Sequence, residues 1–328
     1  MMTDSPLEQP DKSVDKRGRN LSVYLIEAKA RADDFAQAHA EGRTLMVEAL
    51  REIQHFAVLN MLVAHHSLGA TKAYAGLEIL TWGRFSGLDR LRSLLLHLPE
   101  PTGQPGYDLG LAKCDRPMIV CPFPGATRTV VVFTDVEQHL GAPLRLVHPW
   151  LWQLGVNVIY LSEPHFNYFL GPIDGLGVTI EDKAASIRQA LCELGDQPVV
   201  CLGNSGGGFG ALLLAPLLGA ERTLVYSAPT VIRESLPLIR QRVPDLDPRL
   251  WQGGEINIAS RWRAHTTTPE TRIYYPGLLE HDQQEARNMA DIPGVALFAM
   301  AEYAQHNLLP FLIADGSFAR HLEWLSAG

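Results

Sequence analysis

Pro198-Val199-Val200-Cys201-Leu202-Gly203-Asn204-Ser205-Gly206-Gly207-Gly208-Phe209-Gly210-Ala211 is an apolar run that stops at glycine, passes through one serine set among glycines, and continues as Leu212-Leu213-Leu214-Ala215. It spells a strand, one very tight turn, and a helix. Gly203, Ser205 and Gly207 satisfy G-x-S-x-G, in which the serine sits at the apex of a strained strand-to-helix turn. The glycines are required because a Cβ would collide where the two backbones approach each other. Oγ of Ser205 is then expected above the sheet. The N–H groups at the helix start, beginning with Gly206, would face any negative charge formed beside it.

Two other readings of this stretch compete. One is a glycine-rich turn with a bystander serine. The other is a dinucleotide fingerprint, since Gly206, Gly208 and Ala211 also spell G-x-G-x-x-A. That motif needs an acidic residue at the end of the next strand to hold a ribose. The next strand, Thr223–Ser227, runs into Ala228-Pro229-Thr230 and offers none.

Outward from the serine turn, strands and helices alternate. Short strands are expected over 107–113 and 117–122, then a β-branched strand over Thr129–Thr134, a helix over 142–154 and a strand over 156–161. A helix over 180–194 precedes the serine turn. After it come a strand over 223–227, an excursion from Pro229 to Glu270, a strand over 271–275, a helix near 283–290, a strand over 295–300 and a closing helix over 307–325. This order predicts an α/β fold with a mostly parallel sheet and helices on both faces. Ligands in such sheets bind at the carboxyl ends of the strands, which is where Ser205 falls.

The N-terminal part reads differently. Residues 1–19 are polar and charged and are expected to be a disordered tail without an apolar signal segment. Residues 20–100 carry apolar residues at helical spacing, such as Leu21, Tyr24, Leu25 and Ala28, and form an N-terminal helical region. It ends at the turn-rich segment from Pro99 to Gly106, so the catalytic domain is expected to span 107–328. The helices would pack on that domain, or serve as a separate interaction module, as an arm for self-association into a homo-oligomer, or as a flap over the active site.

Composition excludes several partners. A net charge of −8 disfavours nucleic acid and anionic lipid, both of which call for basic surfaces. The uncharged stretch Ile53–Thr71 contains Gln54, His55, Asn60, His65 and His66, so no membrane span is expected. The four cysteines show no C-x-x-C and no zinc spacing, which leaves free thiols in a reducing, cytoplasmic compartment and no metal or organic cofactor.

A serine hydroxyl is a poor nucleophile near neutral pH and needs a histidine base oriented by an acid. Both occur later in the chain. Asp282 follows the strand ending at Tyr275, with Glu280 as the reserve acid, and His306 follows the strand ending at Met300. Asp282 has a second reading as the N-cap of the helix after it. With Gly203-Asn204-Ser205-Gly206-Gly207, Asp282 and His306 in this order, residues 107–328 resemble the α/β-hydrolase superfamily.

The resemblance implies a Ser205 nucleophile, a His306 general base and an Asp282 orienting acid. It also implies an oxyanion hole made by Gly206 N–H and an N–H from the loop after the strand at 129–134, here Asp135 or Val136. That loop departs from the H-G-G-G form of many lipases and esterases, and it brings the carboxylates of Asp135 and Glu137 near the site of developing charge. His165, Phe166 and Tyr168, in the loop after the strand at 156–161, are candidate pocket residues. The reading is a serine hydrolase acting on a small-molecule ester or thioester. The alternatives are acyl transfer on the same fold and a non-catalytic α/β-hydrolase-like binding protein.

Overall fold

The computed structural model describes residues 116–327 except Glu137, Pro143, Pro164, Phe166, 234–249 and 252–253, together with His97 and Leu111. The tail expected over 1–19 and, His97 aside, the helical region over 20–100 lie outside the described residues. Of the strand expected over 107–113 only Leu111 is described, and it is helical. Leucine is a good helix former.

The elements run β1 (Met118–Cys121), β2 (Thr129–Phe133), α1 (Leu144–Gln153), β3 (Asn157–Leu161), α2 (Ile180–Glu193), β4 (Val199–Asn204), α3 (Ser205–Leu218) and β5 (Arg222–Tyr226). They continue with β6 (Val231–Arg233), β7 (Glu255–Asn257), α4 (Ile258–Trp262), β8 (Glu270–Pro276), α5 (Glu280–Arg287), β9 (Val295–Met300), α6 (Leu309–Ala314) and α7 (Ser317–Ser326).

Seven strands form one sheet in the order β1-β3-β2-β4-β5-β8-β9. All neighbours are parallel except β1, which pairs antiparallel with β3. This is the α/β-hydrolase-like sheet expected from the sequence. Its central strands are buried on both faces, which explains their continuous apolar runs: every residue of β2, β3 and β4 is buried.

Alternation along the strands divides the core. Val131, Phe133, Ile159, Leu161, Cys201, Val225 and Ile273 pack with the apolar residues of α2 to α5. The intervening Tyr160, Tyr226 and Tyr274 turn to the other face. There Tyr160 meets His148 of α1, while Tyr226 and Tyr274 meet His321 of α7. No helix among the described residues is long and apolar enough to cross a membrane.

The expectation of one closing helix over 307–325 needs correction. The closing helix is broken in two. Gly316 takes a left-handed φ of 74°, and the Asp315 carboxylate caps the restart by accepting the Ser317 N–H at 2.8 Å. The excursion between β5 and β8 carries a short antiparallel ribbon, β6 with β7, on either side of its undescribed stretch.

Candidate active site

β2 lies between β3 and β4, so the loops leaving its carboxyl end and those of its neighbours open onto one crevice. Ser205 stands there as the first residue of α3. Asn204 before it is extended, with φ −129° and ψ 140°, and Ser205 turns to φ 50°. A left-handed backbone at a non-glycine residue costs roughly 1–3 kcal/mol and persists only when its surroundings enforce it. Here the enforcement is close packing: a Cβ on Gly203 would lie 2.6 Å from the carbonyl oxygen of Gly207, and one on Gly207 only 2.2 Å from that of Phe133. β4, α3 and the end of β2 therefore touch backbone to backbone, and the turn has no room to relax.

Asp282, His306 and Ser205 form an unbroken hydrogen-bonded chain. His306 Nδ1 is 2.7 Å from Asp282 Oδ1, and His306 Nε2 is 2.8 Å from Ser205 Oγ. A carboxylate can only accept, so Nδ1 carries the proton and Nε2 presents its lone pair to the serine hydroxyl. Exposure is graded along the chain, with the Asp282 side chain 3% exposed and that of His306 44%. The backbone carbonyl of His306 also accepts the hydroxyl of Ser227, which pins the base loop to the end of β5.

Asp282 is not a helix N-cap. α5 begins two residues earlier, at Glu280, with Leu279 in the cap position, and Asp282 lies in the first turn. There the unpaired N–H groups favour negative charge. Its second oxygen, Oδ2, is buried and meets no donor among the described residues. Glu280, the reserve acid, is exposed and accepts instead from Gln284 Nε2 at 3.1 Å. Other histidines of the domain stand elsewhere: His148 of α1 is bonded to Tyr160, His321 is stacked on Tyr274, and His281 is exposed on α5.

In the oxyanion loop the two expected alternatives, Asp135 and Val136, differ. Asp135 N–H is already donated to the His139 carbonyl at 2.6 Å, so it is closed to a ligand. Val136 N–H has no acceptor among the described residues. Gly206 lies in the first turn of α3, where N–H groups have no intrahelical partner. The two residues are neighbours, since a Cβ on Gly206 would be 3.5 Å from Val136 Cγ1. Glu137 lies outside the described residues.

Of the candidate pocket residues, Tyr168 is brought to the site. Its ring edge comes within 3.4 Å of the Gly206 Cβ position and packs edge-on against Phe209. Its backbone is left-handed, with φ 57°, as is that of Phe169, with φ 62°. The loop is drawn into this shape by the Glu163 carboxylate, which accepts the N–H groups of His165 and Asn167 at 2.6 and 2.5 Å. His165 is exposed, and among the described residues its ring makes no hydrogen bond to Ser205 or His306. Phe166 lies outside them.

Sequence reasoning passed over Glu163, Asn204, Ser227, Glu285 and Asn307. A signal existed for two of them: Asn204 is polar at the end of an apolar strand, and Asn307 directly follows the candidate base.

No family model matches the chain, and no curated protein matches it. Among solved structures it is similar to MenH from S. aureus, at 15% identity over 63% of this chain and 97% of that one, with a TM-score of 0.42. It is also similar to TT1662 from Thermus thermophilus, at 17% identity over 64% and 94%, with a TM-score of 0.46. A third is the α/β hydrolase enzyme MGS-MChE2 from a lagoon-sediment metagenome of Mar Chica, Morocco, at 15% identity over 63% and 93%, with a TM-score of 0.41.

Proposed function

We propose that this chain is a serine hydrolase that cleaves a carboxylic ester or thioester through an acyl-enzyme on Ser205. The observation that carries the reading is the Asp282–His306–Ser205 hydrogen-bond chain at the carboxyl edge of the sheet. His306 Nε2 takes the Ser205 proton as Oγ attacks the carbonyl carbon, and Asp282 steadies the imidazolium that forms. The tetrahedral oxyanion sits against the N–H groups of Gly206 and Val136. His306 then returns the proton to the leaving alcohol or thiol. A water activated by the same nitrogen hydrolyses the acyl-enzyme, and Ser205 is regenerated. Acyl transfer to a hydroxyl or amine would use the same acyl-enzyme with a different acceptor.

Carboxylates facing the oxyanion would favour a non-catalytic binding protein. The Asp135 carboxylate instead accepts N–H groups of its own loop, at 3.0 Å from His139 and 2.8 Å from Gly141.

Labelling the purified protein with a fluorophosphonate, with intact mass as readout, tests the proposal. A single adduct is expected on the wild type and none on Ser205→Ala or His306→Ala. A folded wild type that takes no adduct, or an adduct that survives Ser205→Ala, would sink it.

A further inference from the structure

The loop Asp135–Gly141 is tied at both ends to the immediate sequence neighbours of the two reacting residues. Asn204 precedes Ser205, and its Nδ2 donates to Asp135 Oδ2 at 3.2 Å. Asn307 follows His306, and its Nδ2 donates to the Gly141 carbonyl at 2.8 Å. Between these ties the Asp135 carboxylate holds the loop from within. Oδ1 accepts the His139 N–H and Oδ2 the Gly141 N–H, while the backbone closes a turn from Gln138 N–H to the Asp135 carbonyl at 2.9 Å. Asp135 is buried, at 8% exposure. Gly141 is left-handed, with φ 68°, and a Cβ there would fall 2.6 Å from Asn307 Oδ1 and 2.9 Å from Asn204 Nδ2. The two asparagines thus close around a position that only glycine can fill.

Val136, whose N–H meets no acceptor among the described residues, is the residue after Asp135. Its position relative to Ser205 therefore depends on this one carboxylate. An anion so near a developing oxyanion would be expected to oppose it. Among the described residues three N–H donors converge on the carboxylate and offset its charge, and Val136 N–H is left without an acceptor.

Resting on the serine-hydrolase reading, we infer that Asp135, with Asn204 and Asn307, is a positioning group. It registers the Val136 oxyanion donor against the nucleophile turn and the base loop at once. Asp135 touches neither substrate nor proton; it acts through the geometry of Val136. Displacing such a donor by a fraction of an ångström to 1 Å costs on the order of a hundred-fold in rate.

The two physical effects of Asp135→Asn have opposite signs, which makes the test decisive. Losing the charge alone would accelerate attack at Ser205. Losing an acceptor, and placing an NH2 against the His139 or Gly141 N–H, would slow it.

The experiment is fluorophosphonate labelling of the full chain, resolved into the saturating rate and the half-saturating probe concentration, across about pH 5 to 9. Asp135→Asn and Asn307→Ala are compared with wild type, with Ser205→Ala as blank and melting midpoints as the folding control. The expected result is a saturating rate lowered about ten- to a hundred-fold in both folded variants. The half-saturating concentration and the pH of half-maximal rate should stay unmoved.

A folded Asp135→Asn that labels as fast as wild type or faster overturns the inference. So does a folded Asn307→Ala within about two-fold of wild type, which decides alone if Asp135→Asn fails to fold. A wild type that takes no label, or label persisting in Ser205→Ala, removes the underlying reading instead, and is told apart because the blank and wild type then coincide.

Discussion

The carboxylate of Glu285 accepts the backbone N–H groups of both Thr230 and Val231, at 2.6 and 2.9 Å, and the Thr230 hydroxyl at 3.0 Å. That single hydroxyl proton is shared with the Glu285 carbonyl, which the Thr230 oxygen approaches to 2.7 Å. Glu285 lies one turn beyond Asp282 on α5, and Thr230 lies on the chain leaving β5. A buried carboxylate thus fastens the helix that carries Asp282 to the strand end that also holds His306 through Ser227.

Breaking one side of this link leaves buried partners unpaired, at a cost of about 1–3 kcal/mol or more where a charge is stranded. Glu285→Ala should therefore lower unfolding stability by about 3 kcal/mol. A double-mutant cycle with Thr230→Val should return a coupling of about 1–3 kcal/mol by urea denaturation. Additive effects would show that the two residues do not share this network.

Asp282 and Glu280 stand two residues apart on α5, but only Asp282 reaches His306. Asp282→Asn should offer Nδ1 a donor or a neutral acceptor and unsettle the tautomer that leaves Nε2 free. The expected loss in Ser205 acylation rate is about 10³- to 10⁴-fold at neutral pH. Glu280→Gln should leave the rate within about two-fold. The reverse pattern in ester turnover or fluorophosphonate labelling would reassign the acid.

The nucleophile turn should tolerate no side chain at its glycines. Gly207→Ala places a methyl 2.2 Å from the Phe133 carbonyl oxygen, in contact with backbone that cannot step aside. Overpacking of this kind costs about 3 kcal/mol or more. Thermal and urea unfolding would detect it, and a midpoint equal to wild type would mean that the strand and helix are less tightly apposed than described.

Acid should destabilise the fold through His148. Burial lowers its pKa from an ordinary 6.5 to about 4. The folded state holds the neutral imidazole, with Nδ1 2.9 Å from the Tyr160 hydroxyl, while the unfolded chain takes up a proton first as pH falls. The stabilisation is therefore present above about pH 6.5 and is lost progressively down to about pH 4. Its size is up to about 3 kcal/mol. His148→Gln should flatten that part of the stability-versus-pH curve relative to wild type in urea titrations at successive pH values. An unchanged slope would mean that His148 is not the group responsible. His321, lowered to about 4 chiefly by burial, should contribute in the same direction.

Much of this architecture is legible in the chain itself. Val130, Val131 and Val132 can only be a buried strand, and the strand at Val295–Met300 emerges with the expected bounds. Other elements escaped because their limits are set by single contacts. The closing helix divides at Gly316, where the Asp315 carboxylate accepts both the N–H and the hydroxyl of Ser317, and α5 starts early, with Glu280 and Asp282 in its first turn. Glu163, Ser227 and Glu285 carry no motif; their roles exist only where their hydrogen-bond partners arrive from distant segments.

By itself the sequence determined the strand-helix alternation, the G-x-S-x-G turn and the order of serine, acid and histidine. Each is a matter of local spacing and backbone preference, readable within a few residues. Only the tertiary structure decided which carboxylate meets His306, across 24 residues, and which serine meets it, across 101. It also decided that Asp135 N–H is taken by the His139 carbonyl, while Val136 N–H meets no acceptor among the described residues. These choices turn on tenths of an ångström and on which way a hydrogen bond points, and such directions come into being only when the loops after β2, β4, β8 and β9 are packed against one another.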